Sequence, residues 1–279
     1  MDKPPLSPYE NPSWHEAISG IIRQTSTNPI DVRDAVLDGV DLSFVRTILD
    51  LGCGFGFMTE AAARRAMPEA TIVGVDACAA NEGPYLGRVG ATGRPTRFVC
   101  RRIDSQLDWP DASFDLIIAS YAMYFLPGVL PEIARILSPQ GVFITVTHTE
   151  KFCQDLMCVV GVSGPDSRLL GLVRSFSSES AASLLTPWFE EVERVDYHNS
   201  LAFEAGQRDE LLTYLLFKLP LLLSDSPPDS ELPAALVRAV QASLSDRGRV
   251  VLDKNDAVFR CKRPRCPRNQ ITVPGAAKP

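Results

Sequence analysis

Histidine is scarce in this chain of 279 residues, with three in all, and no two cysteines are separated by two residues. The seven cysteines stand at positions 53, 78, 100, 153, 158, 261 and 266. An odd count without a nearby histidine couple excludes a zinc-finger pattern and points to a reduced, cytoplasmic setting. No basic segment runs into an apolar stretch after Met1, so no secretory signal is expected and the mature chain is expected to start there. Long apolar runs are missing too. The most apolar stretch, Leu211 to Leu223, is too short to span a membrane and is broken by Lys218 and Pro220. It reads as a buried helix or one that covers a cofactor. Positive charge is not in excess: a formal charge of -6 argues against an overall basic footprint for nucleic acid and suits small or cationic ligands. What remains is ordinary globular composition in a chain long enough for one large α/β domain that needs neither disulfides nor structural metal.

From Val45 to Thr147, short β-branched runs alternate with helical segments, the pattern of parallel strands joined by crossover helices. Strands are expected at Thr47–Leu51, Thr71–Val75, Thr96–Cys100, Asp115–Ser120 and Val142–Thr147, each apolar enough for burial on both faces. Thr59 is placed as the cap of a helix running to Met67, where Pro68 stops it, and Leu130–Leu137 is a second helix ended by the turn Ser138–Gly141. Upstream, Trp14, Ala17, Ile18, Ile21 and Ile22 recur at helical spacing and predict a docked helix over Ser13–Gln24. Downstream, Val192–Phe203 and Val250–Cys261 read as two further strands. Between them lie a leucine-rich helix at Glu210–Leu219, a proline-rich turn at Ser226–Asp229 and a helix with Leu232, Leu236, Val240 and Leu244 on one stripe, ended by Gly248. The expected organisation is a single domain of 1–279. It comprises an N-terminal cap segment (1–40), an α/β core (41–205 and 249–263), a helical cap insert (206–248) and a loosely ordered tail (264–279).

The chemical signal is Thr47-Ile48-Leu49-Asp50-Leu51-Gly52-Cys53-Gly54-Phe55-Gly56: an apolar strand, an acidic end and three alternating glycines before a helix. Glycine permits positive φ and close approach of a ligand, and the helix that follows offers free N–H groups. The register does not fit a dinucleotide fingerprint, because Phe57 stands where that motif needs glycine or alanine, and no Gly-Lys-Ser/Thr follows to make a P-loop. A plain tight turn explains three alternating glycines poorly. With these residues the sequence resembles the class I S-adenosylmethionine-dependent methyltransferases, of the small-molecule type, over roughly Val45 to His148. The resemblance implies a doubly wound, mainly parallel seven-stranded sheet of Rossmann-like methyltransferase fold, with the N-terminal helix and a helical insert before the last strand.

The same resemblance implies S-adenosyl-L-methionine as cofactor, held by Asp50, Gly52, Cys53, Gly54, Gly56, Asp76, Ala77, Ile103, Asp104 and Ser120. Asp76, at the end of the second strand, would take the ribose hydroxyls, a diol suited to a two-oxygen acceptor. Read in isolation, Asp76 is equally a helix cap. Asp104 matches the position that meets the adenine amino group, with Ile103 beside the ring, and Trp109–Asp115 and Leu137–Gly141 match the entries to the fourth and fifth strands. Methyl transfer from a sulfonium is an in-line displacement in which positioning carries most of the catalysis and a base is optional. His148, closing the fifth strand, is the candidate base for a hydroxyl acceptor, with Tyr121 and Tyr124 as orienting groups; the structural alternative for His148 is a backbone-bonded loop histidine. His15 and His198 rank lower, and Tyr9 and Trp14 either cover the cofactor or pack.

Departures narrow the expectation. Ala77–Gly83 lacks the family's usual run into a helix with an apolar residue aimed at adenine. No Asn-Pro-Pro-aromatic motif follows the fourth strand and no Pro-Cys pair of the cytosine-C5 type occurs. Thr147–Glu150 offers a single carboxylate, so no metal is expected. The leading expectation is methyl transfer to a small, partly apolar acceptor, oxygen favoured, under a cap containing Leu211, Leu215, Phe217 and Leu219. The alternatives are a non-catalytic methyltransferase-like binding or scaffold protein, and a methyltransferase acting on protein or RNA. The one notable basic cluster, Arg260, Lys262, Arg263, Arg265 and Arg268, reads as a solvated tail, and neither nucleic acid nor membrane is an expected partner.

Overall fold

A computed structural model describes residues 7–160, 168–222 and 232–265. In chain order the strands are β1 (Thr47–Leu51), β2 (Thr71–Asp76), β3 (Thr96–Cys100), β4 (Phe114–Ser120), β5 (Leu137–His148), β6 (Phe189–Tyr197), β7 (Ser200–Glu204), β8 (Arg249–Asp253) and β9 (Asp256–Pro264). The helices are α1 (Pro12–Thr25), α2 (Val32–Leu37), α3 (Phe57–Arg65), α4 (Glu82–Gly90), α5 (Leu130–Ile136), α6 (Glu150–Val160), α7 (Arg168–Ser175), α8 (Ala181–Leu185), α9 (Arg208–Leu222) and α10 (Leu232–Arg247). The aliphatic runs of β1 and β4 are buried on both faces because helices cover each side of a sheet ordered β3-β2-β1-β4-β5-β9-β6. Its first five strands are parallel, and β9 runs antiparallel to both β5 and β6. The expected doubly wound, seven-stranded sheet is therefore present.

Each of the two late strands read from sequence is in fact a pair. Val192–Phe203 divides into β6 and β7, and Val250–Cys261 into β8 and β9. The breaks fall at neighbouring asparagines. Asn199 N donates to Asn255 Oδ1 (2.9 Å), Lys254 N donates to Asn199 O (3.1 Å), and Asn199 Oδ1 accepts from Thr27 N and Asn28 N. These bonds satisfy the backbone where the ladder stops, so β7 and β8 leave the main sheet as a separate two-stranded ladder. α9 and α10 are inserted between them. α9 carries buried residues on every side, packed against α1, α6, α7 and α10, which explains its lack of a polar face.

Other expectations are corrected. Thr59 does not cap its helix: α3 begins at Phe57 behind Gly56, and the Thr59 hydroxyl turns inward to Asp50. Arg260, Lys262 and Arg263 are strand residues rather than tail, and the buried Arg260 guanidinium donates to the carbonyls of Ala35 and Val36. The Ser226–Asp229 turn, Cys266, Arg268 and residues 266–279 lie outside the described residues.

Candidate active site

The strand order reverses between β1 and β4, and in open α/β sheets the crevice at that point, outside the carboxyl ends of the strands, is where ligands bind. Here a cavity of about 510 Å³ opens there. Its floor is the glycine bend. Gly52 has φ +72, and a Cβ on it would stand 2.6 Å from the Ala122 Cβ, so the bend presses backbone directly against the end of β4. Asp76 points back onto this bend. Its Oδ2 accepts from Gly54 N (2.8 Å), and its Oδ1 accepts from Cys78 N (2.8 Å) and Asn81 Nδ2 (3.2 Å). A carboxylate oxygen offers about two lone-pair sites, so Oδ2 keeps one open for a ligand hydroxyl.

Asp50 is 2% exposed. Its Oδ2 accepts from the Thr59 hydroxyl (2.5 Å), while its Oδ1 has no partner among the described residues. Burial pushes this carboxyl up to about 7, helped by the neighbouring charge of Asp76 and opposed by the Thr59 hydroxyl. A buried carboxyl oxygen without a donor, at the wall of a cavity, is suited to a cationic ligand group, which would restore its ionised form. Gly52, Cys53, Gly54, Ala77, Ile103, Asp104 and Ser120 line the same cavity, and Ser120 Oγ is likewise buried, without a partner among the described residues. Gly56 does not line it. With φ +83 it caps α3, and a Cβ there would meet Val89 Cγ2 at 2.8 Å, so its requirement for glycine is one of packing.

A second cluster stands across the cavity. His148, at the end of β5, lies opposite Asp256 in the β5–β9 register, and its Nδ1 is 2.7 Å from Asp256 Oδ1. An ionised carboxylate only accepts, so Nδ1 carries the proton and Nε2 is left as an acceptor. Burial holds the imidazole down to about 4, helped by the Lys254 ammonium and opposed by Asp256, so the ring is neutral at ordinary pH. Burial alone would raise the Asp256 carboxyl, but the Lys254 ammonium and His148 hold it below the usual range. The ring of His148 stacks on Phe152 (4.3 Å between centroids) and Tyr121 (4.7 Å). Tyr121 has φ +54, an uncommon conformation for a large side chain, and its hydroxyl donates to Asp256 Oδ2 (2.8 Å). Its hydrogen is thus committed to the histidine's partner, while the side chain still lines the cavity. Tyr124 lines the cavity, and its hydroxyl makes no hydrogen bond with a described residue.

Several residues that sequence reading passed over also line the cavity. Asn81 is 1% exposed, and its Oδ1 has no partner among the described residues. His15, ranked low as a helix residue, lies over the glycine bend: its Cε1 is 3.6 Å from where a Gly54 Cβ would stand, and its ring meets Phe55 at 4.9 Å. Burial, with Lys218 nearby, holds His15 down to about 4. Tyr9 lines the cavity, edge-on to His15 and Phe217, whereas Trp14 packs on Phe217 and does not line it. His198 is exposed. Lys218 and Lys254 also line the cavity, with Asp256 behind them bonded to Lys254, and no group of metal ligands occurs among the described residues.

A doubly wound sheet whose switch-point cavity combines a glycine bend with a carboxylate at the end of the second strand defines a nucleotide-cofactor-binding α/β protein. Residues 48–141 match the family model for the methyltransferase domain. The demethylmenaquinone methyltransferase of Symbiobacterium thermophilum is 31% identical over 112 residues, 38% of this chain and 43% of that protein. The ubiquinone biosynthesis O-methyltransferase of Idiomarina loihiensis is 31% identical over 103 residues, 35% of this chain and 40% of the relative. The chain thus spans about two fifths of the length of these curated relatives. In fold it is similar to the YcgJ protein from Bacillus subtilis, with a TM-score of 0.51 at 16% identity over 89% of this chain and 99% of that one. Over β1 to the start of β5 the chain thus carries a methyltransferase domain, and there it is similar to class I S-adenosylmethionine-dependent methyltransferases.

Proposed function

We propose that the protein transfers a methyl group from S-adenosylmethionine to an oxygen of a small, partly apolar acceptor, with His148 as the base and Asp256 holding it. When bound, the cofactor supplies a methyl group on positively charged sulfur. Asp50 would face its cationic end, the backbone of Gly52, Cys53 and Gly54 would lie along it, and Asp76 with Asn81 would take the ribose hydroxyls. Ala77, Ile103 and Asp104 would border the adenine, and Ser120 would offer a hydroxyl at the floor. The observation that carries the reading is that one cavity joins this cradle to a neutral, Asp256-held histidine. His148 takes the acceptor's proton at Nε2 as the oxygen attacks, and Asp256 stabilises the imidazolium that results. Tyr121 fixes Asp256, and Tyr124 borders the acceptor.

The acceptor class is supported by the aromatic lining, which includes Tyr9, Phe125 and Phe217, and by relatives whose names describe quinone-pathway methyltransferases. A reducing, cytoplasmic setting belongs to the same reading, supported by the free state of Cys53, Cys78, Cys100, Cys153, Cys158 and Cys261. No helix among the described residues is long and apolar enough to cross a membrane. Incubation with methyl-labelled S-adenosylmethionine and a metabolite extract tests the proposal. Label is expected in small molecules, and label confined to protein or RNA would overturn it.

A further inference from the structure

Lys218 is 8% exposed, in the apolar second half of helix α9. Its ammonium lies 5.5 Å from the ring centre of Phe217, 5.7 Å from Phe152 and 5.9 Å from Tyr214, and makes no hydrogen bond or ion pair with a described residue. Ring faces attract a cation but offset only part of the cost of taking it out of water. Lys218 also borders the cavity, so its charge is presented to whatever enters.

The groups around it do not supply an opposite charge. Asp256 is the carboxylate that acts on Lys218, and it is already engaged by Lys254, Tyr121 and His148. The Lys254 ammonium also lies 5.7 Å from the Phe152 ring, so two ammoniums share that ring with one carboxylate between them. His15 and His148 are both neutral at ordinary pH, and burial pushes the Cys153 thiol up to about 12, leaving it uncharged. Among the described residues, one positive charge is therefore uncompensated at the wall of the cavity. Burial and Lys254 lower the Lys218 ammonium to about 8, still mostly protonated near neutrality.

We propose that Lys218 is the anion subsite for the acceptor, which carries a carboxylate that pairs with this ammonium while its apolar body lies along Phe217 and Phe125. This rests on the reading that the cavity takes cofactor and acceptor together. No bond is made or broken at Lys218; it fixes the acceptor's orientation relative to His148 and so selects acidic acceptors over neutral ones of the same shape.

The test is calorimetric titration of the full chain, first with S-adenosylhomocysteine and then, on the saturated protein at pH 7, with 2-naphthoate and decanoate, each against its own carboxamide. At least one carboxylate is expected to bind about tenfold more tightly than its amide. That preference should fade as pH passes about 8, where Lys218 loses its charge. Lys218→Met, which keeps the apolar stem, should erase the preference, and Lys218→Arg should restore part of it. The wild-type comparison stands even if a variant fails to fold. Equal binding of acid and amide, no binding of either acid, or a preference that survives in Lys218→Met would overturn the proposal. So would loss of S-adenosylhomocysteine affinity in Lys218→Met, which would assign the ammonium to the cofactor's own carboxylate. Failure of S-adenosylhomocysteine to bind the wild type would instead count against the underlying functional reading.

Discussion

His148 Nδ1 and Asp256 Oδ1 are 2.7 Å apart because the antiparallel register of β5 and β9 sets the two residues side by side. The pair is positioned by strand backbone, so its geometry does not depend on a mobile loop. That places the imidazole edge at a fixed point in the cavity, as a base acting on a bound hydroxyl requires.

Replacing His148 by Gln is expected to lower kcat by on the order of 100- to 10,000-fold for a hydroxyl acceptor. Affinity for S-adenosylhomocysteine should change little, because His148 stands across the cavity from the glycine bend. A normal kcat in steady-state assays of H148Q would remove His148 as the base.

The rate should follow the neutral form of His148. Burial and Lys254 hold that ring down to about 4, so kcat should rise with pH through about 4 and stay level through neutrality. Asp256 favours the charged ring, so Asp256→Asn should move the limb to lower pH while reducing kcat. A limb near the ordinary histidine value, read from a pH–rate profile, would show that the ring is not buried as described.

Asp50 gives the opposite pH dependence in cofactor binding. Its folded carboxyl is raised to about 7, so below that value it is protonated and offers less to a cation. Affinity for S-adenosylmethionine should weaken by up to about tenfold per unit as pH falls below 7, and Asp50→Asn should flatten the dependence. In the cofactor-free protein a raised carboxyl pKa contributes stability at low pH that is lost as pH rises toward 7. Thermal melting at pH 8 should therefore find apo D50N no less stable than wild type, even as its affinity falls.

Gly52→Ala should destabilise the protein by roughly 2–4 kcal/mol, combining the left-handed φ with the clash against Ala122. Adding Ala122→Gly removes the clash but not the φ cost, so the double variant should recover part of the loss in thermal melting.

Much of the fold and half of the site can be read along the chain because their signals are local. Asp50 to Gly56 is one continuous segment, and Asp76 closes the next strand, so strand, bend and carboxylate fall in sequence order. The acceptor side is assembled differently. Asp256 reaches His148 across 108 positions through sheet pairing, and the break that frees it depends on Asn199 and Asn255 meeting each other. Reading Val250–Cys261 as a single strand hid the Asp253–Asp256 corner that supplies both Lys254 and Asp256. Lys218 sat in plain view as an interruption of an apolar run; only the packing of α9 shows that it points into the cavity instead of escaping to solvent.

The central claim is a cradle for a sulfonium nucleoside built from the first two strands. Calorimetric titration of S-adenosylhomocysteine into wild type and Asp76→Ala measures it most directly. The account predicts saturable one-to-one binding that weakens by at least about tenfold when the Asp76 carboxylate is removed. Absence of binding in the wild type, or unchanged affinity in D76A with the fold intact, would contradict it.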